Sequence, residues 1–350
     1  MRPVWMPASN CLTMPFLFAP LMATNRMSSR RLCATWCHAN GAKYVLILGG
    51  DNIVPFFRVP DRTPVAAPGQ AILSDSYYFE SHGSDLSHWP EAAVGRMPDG
   101  GDDVGELLVA QLGRSARAHR AGGLQLNGGN LGLSTHTWQV ASASTYKRID
   151  KFKKGFFTSP PIGRALSPAA GVKRLLDAAM LPKAGILFVN LHGHHAQPLW
   201  WGEQRVAGFP VRWPSVLDLK LAQQIDFTDT VVFCEACHGA AIHRHTTTSS
   251  LALCALKQGA PAFFGSTVAT YSITSPDAAV HLEAGIDALF SHLIDQIVRR
   301  RARFGEALCD AKQYYQFDNA FDEKNGLGLT LLGDPMLRLG GCVPVDEGHG

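Results

Sequence analysis

The sequence predicts an α/β protein: a doubly wound, mainly parallel sheet with helices on both faces, preceded by a smaller α/β lobe. Three observations lead there. The runs 44–48, 185–191 and 231–234 are apolar without polar alternation, as strands covered on both faces are. Stretches with helical periodicity lie between them. Strands alternating with helices favour parallel pairing through crossovers.

Composition agrees with a globular chain. At 350 residues it can form one large α/β domain or two lobes. Apolar residues make up 46% and charged residues 17%, the balance of a soluble protein. A net charge of +3 is too small to argue for nucleic acid or a membrane surface as partner. No apolar run reaches the roughly 18 residues of a membrane span. The eight cysteines are irregularly spaced, and Cys254 and Cys309 sit in helical patterns. That usage points to free thiols in a reducing, cytoplasmic setting rather than a disulfide framework.

Residues 1–40 are poorly defined. The apolar patch 14–22 is broken by Pro15 and Pro20, so a secretion signal ending near 21–23 competes with a disordered start. A first helix is expected over 28–39. From Ala42 the pattern sharpens. Tyr44–Leu48 is a buried strand ended by Gly49-Gly50-Asp51. Residues 75–79 form a short aromatic strand and 91–98 another. A helix spans 102–120, with acids at its start and Arg114, Arg117 and Arg120 towards its end, matching the helix dipole. The glycine- and asparagine-rich stretch 122–130 divides an N-terminal lobe, 41–122, from a second lobe, 123–341, with 342–350 as a tail. No internal repeat is present.

The second lobe opens with a strand over 131–140. A helix over 167–180 precedes the strand 185–191, which runs into His192-Gly193-His194-His195. A long loop with Trp200-Trp201 follows, then a short helix over 215–224. The next strand carries Val231-Val232-Phe233-Cys234-Glu235-Ala236-Cys237-His238-Gly239. A helix over 249–258, a strand over 260–265, helices over 278–301 and 304–315, and a strand near 330–335 complete the pattern.

Two of these strands end in reactive side chains. In α/β sheets the carboxyl ends of the strands carry the ligand crevice. Cys237 and His192, 45 residues apart (192 to 237), are therefore the candidate nucleophile and base. A cysteine nucleophile needs such a base beside it and fixed donors for the oxyanion. Glycines at 193 and 239 would let substrate backbone come close. The same residues admit competing readings. His192-Gly193-His194 resembles the start of a metallo-hydrolase site, but Ala196 stands where an acid is expected and there is no H-E-x-x-H helix. Cys234 and Cys237 have C-x-x-C spacing on an apolar strand rather than at a redox helix start, so Cys234 reads as core. Gly49-Gly50-Asp51 lacks G-x-G-x-x-G and reads as a turn.

An ordered series of strings resembles the gingipain-type cysteine peptidases, peptidase family C25, of the caspase-like clan. It comprises Tyr44 to Asp51, Ser74-Asp75 with Tyr78, Pro90-Glu91 through Gly95-Arg96, His192-Gly193, Cys237-x-Gly239, Gly265-Ser266-Thr267 and Leu332 to Arg338. The resemblance covers roughly 41–340. It lacks a counterpart of the family's first strand and secretion signal, and nothing past Asp346 resembles its C-terminal sorting or adhesion domains. Caspases, too, place the histidine about 50 residues before the cysteine of Q-A-C-x-G.

The resemblance implies a cysteine endopeptidase with a Cys237–His192 dyad, the backbone N–H groups of Gly193 and Cys237 as oxyanion hole, and a protein or peptide as substrate. No catalytic cofactor or metal is implied; a structural calcium on acidic loops is compatible with it, though no residue specifies one. Glu235 stands where caspases have a pocket glutamine and metacaspases an aspartate that selects Arg or Lys. Gingipains also cut after Arg or Lys with an acid from upstream, for which Asp150 is the counterpart here, while Tyr271 would stack on the bound side chain. An acid ending a buried strand needs solvent or a partner, so a structural arginine or backbone donor is the competing explanation for Glu235. A non-catalytic scaffold that binds a protein partner is the alternative function.

Overall fold

The computed structural model describes residues 41–78, 92–101, 105–159, 183–203, 211–272, 285–315 and 319–341. The expected helices at 28–39 and 167–180 lie outside them, as do the first residues of those expected at 102–120 and 278–301.

Eight strands form one sheet in the order β1-β4-β13-β12-β11-β7-β5-β6. They are β1 (Tyr44–Leu48), β4 (Ala93–Met97), β13 (Leu329–Gly333), β12 (Ala262–Ser266), β11 (Val231–Cys234), β7 (Ala184–Asn190), β5 (Gly129–Thr135) and β6 (Phe156–Ser159). All neighbours pair in parallel except β12 and β13. The α/β architecture with a mainly parallel sheet follows the sequence reading. The expected lobe boundary near 122 falls inside this sheet: β4 joins β13 at Arg96 and Leu332.

Helices α1 (Glu106–Arg120), α2 (Gln139–Tyr146), α3 (Leu219–Ala222), α4 (Leu251–Lys257), α5 (Gly285–Val298), α6 (Phe304–Tyr314) and α7 (Ala320–Gly328) surround it. The central strands show why their runs are continuous. Leu187, Val189, Val232, Cys234 and Phe263 pack with α4 on one face. Ile186, Phe188, Val231, Phe233 and Phe264 pack with α5 and α6 on the other. Each such large apolar side chain contributes about 1.5–3 kcal/mol of burial, so neither face tolerates a polar alternation.

Departures cluster where the pattern is short or mixed. Residues 76–78 form a 3₁₀ turn after β3 (Ala71–Ser74), which pairs with β2 (Phe57–Pro60). The stretch expected as a helix at 215–224 begins as β10 (Ser215–Asp218), and Asp218 then caps α3 by accepting the Leu221 N–H. The long loop after His192 is a hairpin of β8 (His192–His194) and β9 (Gln197–Trp201), extended by β10 into a second, three-stranded sheet.

At the β4–β13 seam sits Arg96, fully buried. Its guanidinium makes two bonds to Asp75, of 2.6 and 2.8 Å, and donates to the carbonyls of Gly49 and Val54. A buried charge pair costs most when one partner is removed. Arg96→Met is expected to lower stability by about 3–5 kcal/mol, read from the denaturant midpoint. Adding Asp75→Leu should recover much of that loss, because the orphaned carboxylate goes with it.

Candidate active site

The parallel pairing of β7 with β11 puts the strand ends side by side, with Cys234 opposite Val189, and the Glu235 N–H donates to the Val189 carbonyl at 2.8 Å. From these ends rise the two loops that carry the candidate residues. They touch. A Cβ on Gly193 would stand 2.2 Å from the Cys237 carbonyl oxygen and 3.4 Å from the Ala236 Cβ, so only glycine permits this approach. The backbones of Gly193 and Cys237, the two expected oxyanion donors, are thus brought together.

Cys237 does not continue the strand. β11 stops at Cys234, and 236–240 form a turn with Gly239 N–H to the Ala236 carbonyl and His238 at φ 55°. The half-buried sulfur is held against Thr270: the Thr270 N–H donates to Sγ at 3.4 Å, and the thiol faces the Thr270 carbonyl at 3.5 Å. Gly239 serves this turn rather than substrate access, since a Cβ there would meet the Cys234 Sγ at 2.6 Å. Cys234 itself is fully buried, and burial pushes its thiol far up, so it stays protonated core.

His192 opens β8. Its Nε2 lies 3.0 Å from Oε2 of Glu203, which is 2% exposed. The imidazole packs against Trp138 at 4.5 Å and Trp213 at 4.8 Å, with Trp201 stacked at 6.5 Å. Trp200 points the other way into the core against Phe263. Sequence reasoning missed Glu203. The signal was indirect: the hairpin pairs His192 with Trp201, which returns the following residues to the histidine.

The remaining histidines have other roles. His194 accepts the Ala196 N–H in the hairpin turn. His195 lies between His194 and His238, at 4.3 and 5.4 Å ring to ring. Burial, then the neighbouring His195, pushes His238 down to about 4, so it is neutral near pH 7. His243 joins Arg58 on Asp51, fastening the Gly49-Gly50-Asp51 turn to the segment beyond the cysteine. Among the described residues, no group of three or more His, Cys, Asp or Glu is arranged to hold a metal ion.

The three expected specificity residues part company. Asp150 lies in the turn before β6, at the amino end of that parallel strand, away from the strand ends that carry Cys237. Tyr271 follows Thr270 and is fixed through both backbone groups to Asn325; its ring meets Phe321 at 4.5 Å and already faces the Lys324 ammonium at 5.4 Å. Glu235 is next to the site but does not share a strand face with Cys237. It continues the alternation of Val231 and Phe233 towards α5, where it comes within hydrogen-bonding reach of Asp287. No N–H or O–H of another described residue reaches either Glu235 oxygen, and neither an arginine nor a backbone donor pairs with it. Burial, then the Asp287 carboxylate, raises its pKa well above the usual carboxylate range.

This has a stability consequence. A carboxyl raised in the folded state contributes fully below its unfolded pKa of about 4.3. That contribution is lost as pH rises through the folded value. Glu235→Gln is therefore expected to melt above wild type at neutral and alkaline pH, with the two curves converging near pH 4 in a thermal-denaturation series.

The sequence profile described as "Peptidase family C25" matches residues 25–340. A comparison with curated protein sequences finds no match. Among solved structures, one titled "Structure of Protease" is similar with a TM-score of 0.59 at 12% identity, over 92% of this chain and 71% of that one. The separase–securin complex of Saccharomyces cerevisiae gives a TM-score of 0.42 at 11% identity, over 71% of this chain and 14% of that one.

Proposed function

The chain belongs to peptidase family C25, and from that premise we propose that it is a cysteine endopeptidase working through Cys237 and His192, with Glu203 as a positioning residue. The observation that carries the reading is the packing of Gly193 onto the Cys237 carbonyl at the ends of β7 and β11.

The chemistry follows from the parts. The bond between Nε2 and Glu203 fixes the ring, so the reaction proton passes through Nδ1. His192 takes the thiol proton as Sγ attacks the scissile carbonyl carbon, forming the C–S bond. The carbonyl oxygen becomes an oxyanion and receives the N–H groups of Gly193 and Cys237. The imidazolium, held by the Glu203 carboxylate, returns the proton to the leaving amine as the C–N bond breaks. Water then attacks the thioester by the same route in reverse and frees the acid product. The half-buried Trp138 and Trp201 against the ring shield part of the imidazole from solvent and strengthen the Glu203 contact.

We further propose cleavage after Arg or Lys, with Glu235 in the pocket for that side chain. Its support is a buried acid, close to the nucleophile, with which no cation among the described residues pairs. Labelling with a peptidyl acyloxymethyl ketone and mapping the adduct tests the nucleophile; modification at any residue but Cys237 rejects it. A fluorogenic P1 panel on wild type and Glu235→Gln tests specificity. Preference for Asp or an apolar P1, or an unchanged profile in the variant, removes Glu235 from the pocket.

A further inference from the structure

Aromatic rings wall the histidine read as the base, and one of them is open to solvent. Trp138 and Trp201 are half-buried beside the imidazole, at 4.5 and 6.5 Å ring to ring. Trp213 stands roughly perpendicular to it, at 4.8 Å and 78°, and is 51% exposed. A tryptophan left that far in water forgoes much of the burial its ring could gain. Its place is nonetheless fixed through the main chain. The Gly202 N–H donates to the Pro214 carbonyl at 2.9 Å, and Ser215 pairs with Trp201 across β9 and β10. The residues that follow Trp213 are thus tied to the strand that carries Trp201, and the indole is presented to the histidine from an anchored backbone.

The proton path says which part of a substrate meets these rings. Glu203 occupies Nε2, so the proton for the leaving amine departs from Nδ1. That amine is the backbone nitrogen of the residue after the scissile bond, P1′. Proton transfer brings it to about 3 Å from Nδ1, and the Cβ of the same residue is only about 2.5 Å further on. The P1′ side chain therefore leaves the backbone at the edge of the imidazole, within reach of rings centred 4.5–6.5 Å from it. Of the three, Trp213 has the most free surface to offer.

We propose that Trp213, together with Trp201, is the contact surface for the P1′ side chain and selects a large apolar or aromatic residue there. The inference rests on the Cys237–His192 reading above and not on the P1 preference. Charge of either sign is disfavoured. The imidazolium that gives up the proton repels a cationic P1′ side chain in the same step, offsetting what a cation gains on an indole face. A carboxylate would lie against the negative faces of the indoles and lose its water. An aliphatic or aromatic side chain meets neither cost and covers indole surface that otherwise faces solvent.

Partitioning of the acyl-enzyme tests this without a natural substrate. The enzyme is acylated with a peptidyl coumarylamide from the P1 panel, and amino-acid amides compete with water for the thioester. The amine nitrogen attacks the thioester carbonyl, the C–N bond forms and the C–S bond breaks. The amine proton passes through His192 to the thiolate, so the amide occupies the P1′ position. The ratio of products from two amides is set within one acyl-enzyme and does not depend on the rate of acylation. Phe-, Leu- and Trp-amide are expected to be captured about ten-fold more efficiently than Gly-amide, the scale of one well-filled apolar contact, and Lys- and Asp-amide no better than Gly-amide. Trp213→Ala should bring the Phe to Gly ratio close to one, and Trp213→Phe should restore most of it, which a general loosening of the loop would not do. Equal capture of all amides, or preference for Lys- or Asp-amide, overturns the inference with the dyad intact. So does a ratio unchanged in Trp213→Ala. No acyl-enzyme from any panel member, with no labelling of Cys237, overturns the dyad reading and this one with it. The wild-type ratios need no substitution, so they decide the apolar preference even where Trp213→Ala does not fold.

Discussion

Cys237→Ala is expected to abolish peptide hydrolysis, with a loss of about five to six decades in kcat, the scale seen when an acyl-transfer enzyme loses its nucleophile. The thiol is half-buried and its hydrogen bonds are weak sulfur contacts to Thr270. Its removal should therefore leave the thermal midpoint nearly unchanged. Cys234→Ala should do the opposite. That sulfur fills a site between the sheet and α4, so the variant loses packing energy of about 1–3 kcal/mol but keeps its activity. Hydrolysis surviving in Cys237→Ala and lost in Cys234→Ala would reverse the assignment. The pair separates chemistry from folding without any knowledge of the natural substrate.

His192→Ala is expected to cost two to four decades in kcat, the range for loss of a general acid–base. Glu203→Gln keeps the shape of the side chain but removes the charge that steadies the imidazolium. It should cost one to two decades and shift the acidic limb of the pH–rate profile to lower pH, since the imidazolium is then less stable. His194→Ala, His195→Ala and His238→Ala should each cost less than a decade. His238 is held neutral by burial, and His194 is tied to its own turn. Dialysis against EDTA is expected to leave the chemical step unaffected. If chelation kills the reaction and zinc restores it, a metal at the histidine cluster replaces the dyad.

The parts of this architecture that could be read from the chain share one physical property. β7, β11 and β12 are covered on both faces, so they are apolar up to the Asn190 and Ser266 that end β7 and β12, and each run is unmistakable. Their ends then place His192 and Cys237 on one rim. Where one face meets solvent or the composition is mixed, the pattern fades. The β8–β9 hairpin is rich in Trp and His, and α7 carries two glycines that lower its helix propensity. Glu203 is an acid in a loop, brought to His192 by a hairpin register that no local motif announces. Glu235 was recognised as unusual, but β11 stops one residue before it. The side chain keeps the direction of the strand towards α5 while Cys237 turns away. Its partner Asp287 lies 50 residues past the nucleophile (237 to 287), on a helix whose sequence alone reads as an ordinary first-turn acid.

The position of β13 carries a consequence in time. Its residues, 329–333, follow every other strand of the sheet in sequence, yet they lie between β4 and β12 in its middle. During synthesis at about 5–20 residues per second, β1 and β4 leave the ribosome long before the strand that will join them to the rest. Until then the nascent protein exposes two unpaired inner edges of a highly apolar sheet, the condition that invites association with other chains. Closure is correspondingly a late and long-range event. A pulse-labelled chain stalled before residue 329 should bind chaperones, and a chain extended past residue 340 and released should lose them as it becomes cross-linkable between residues 96 and 332.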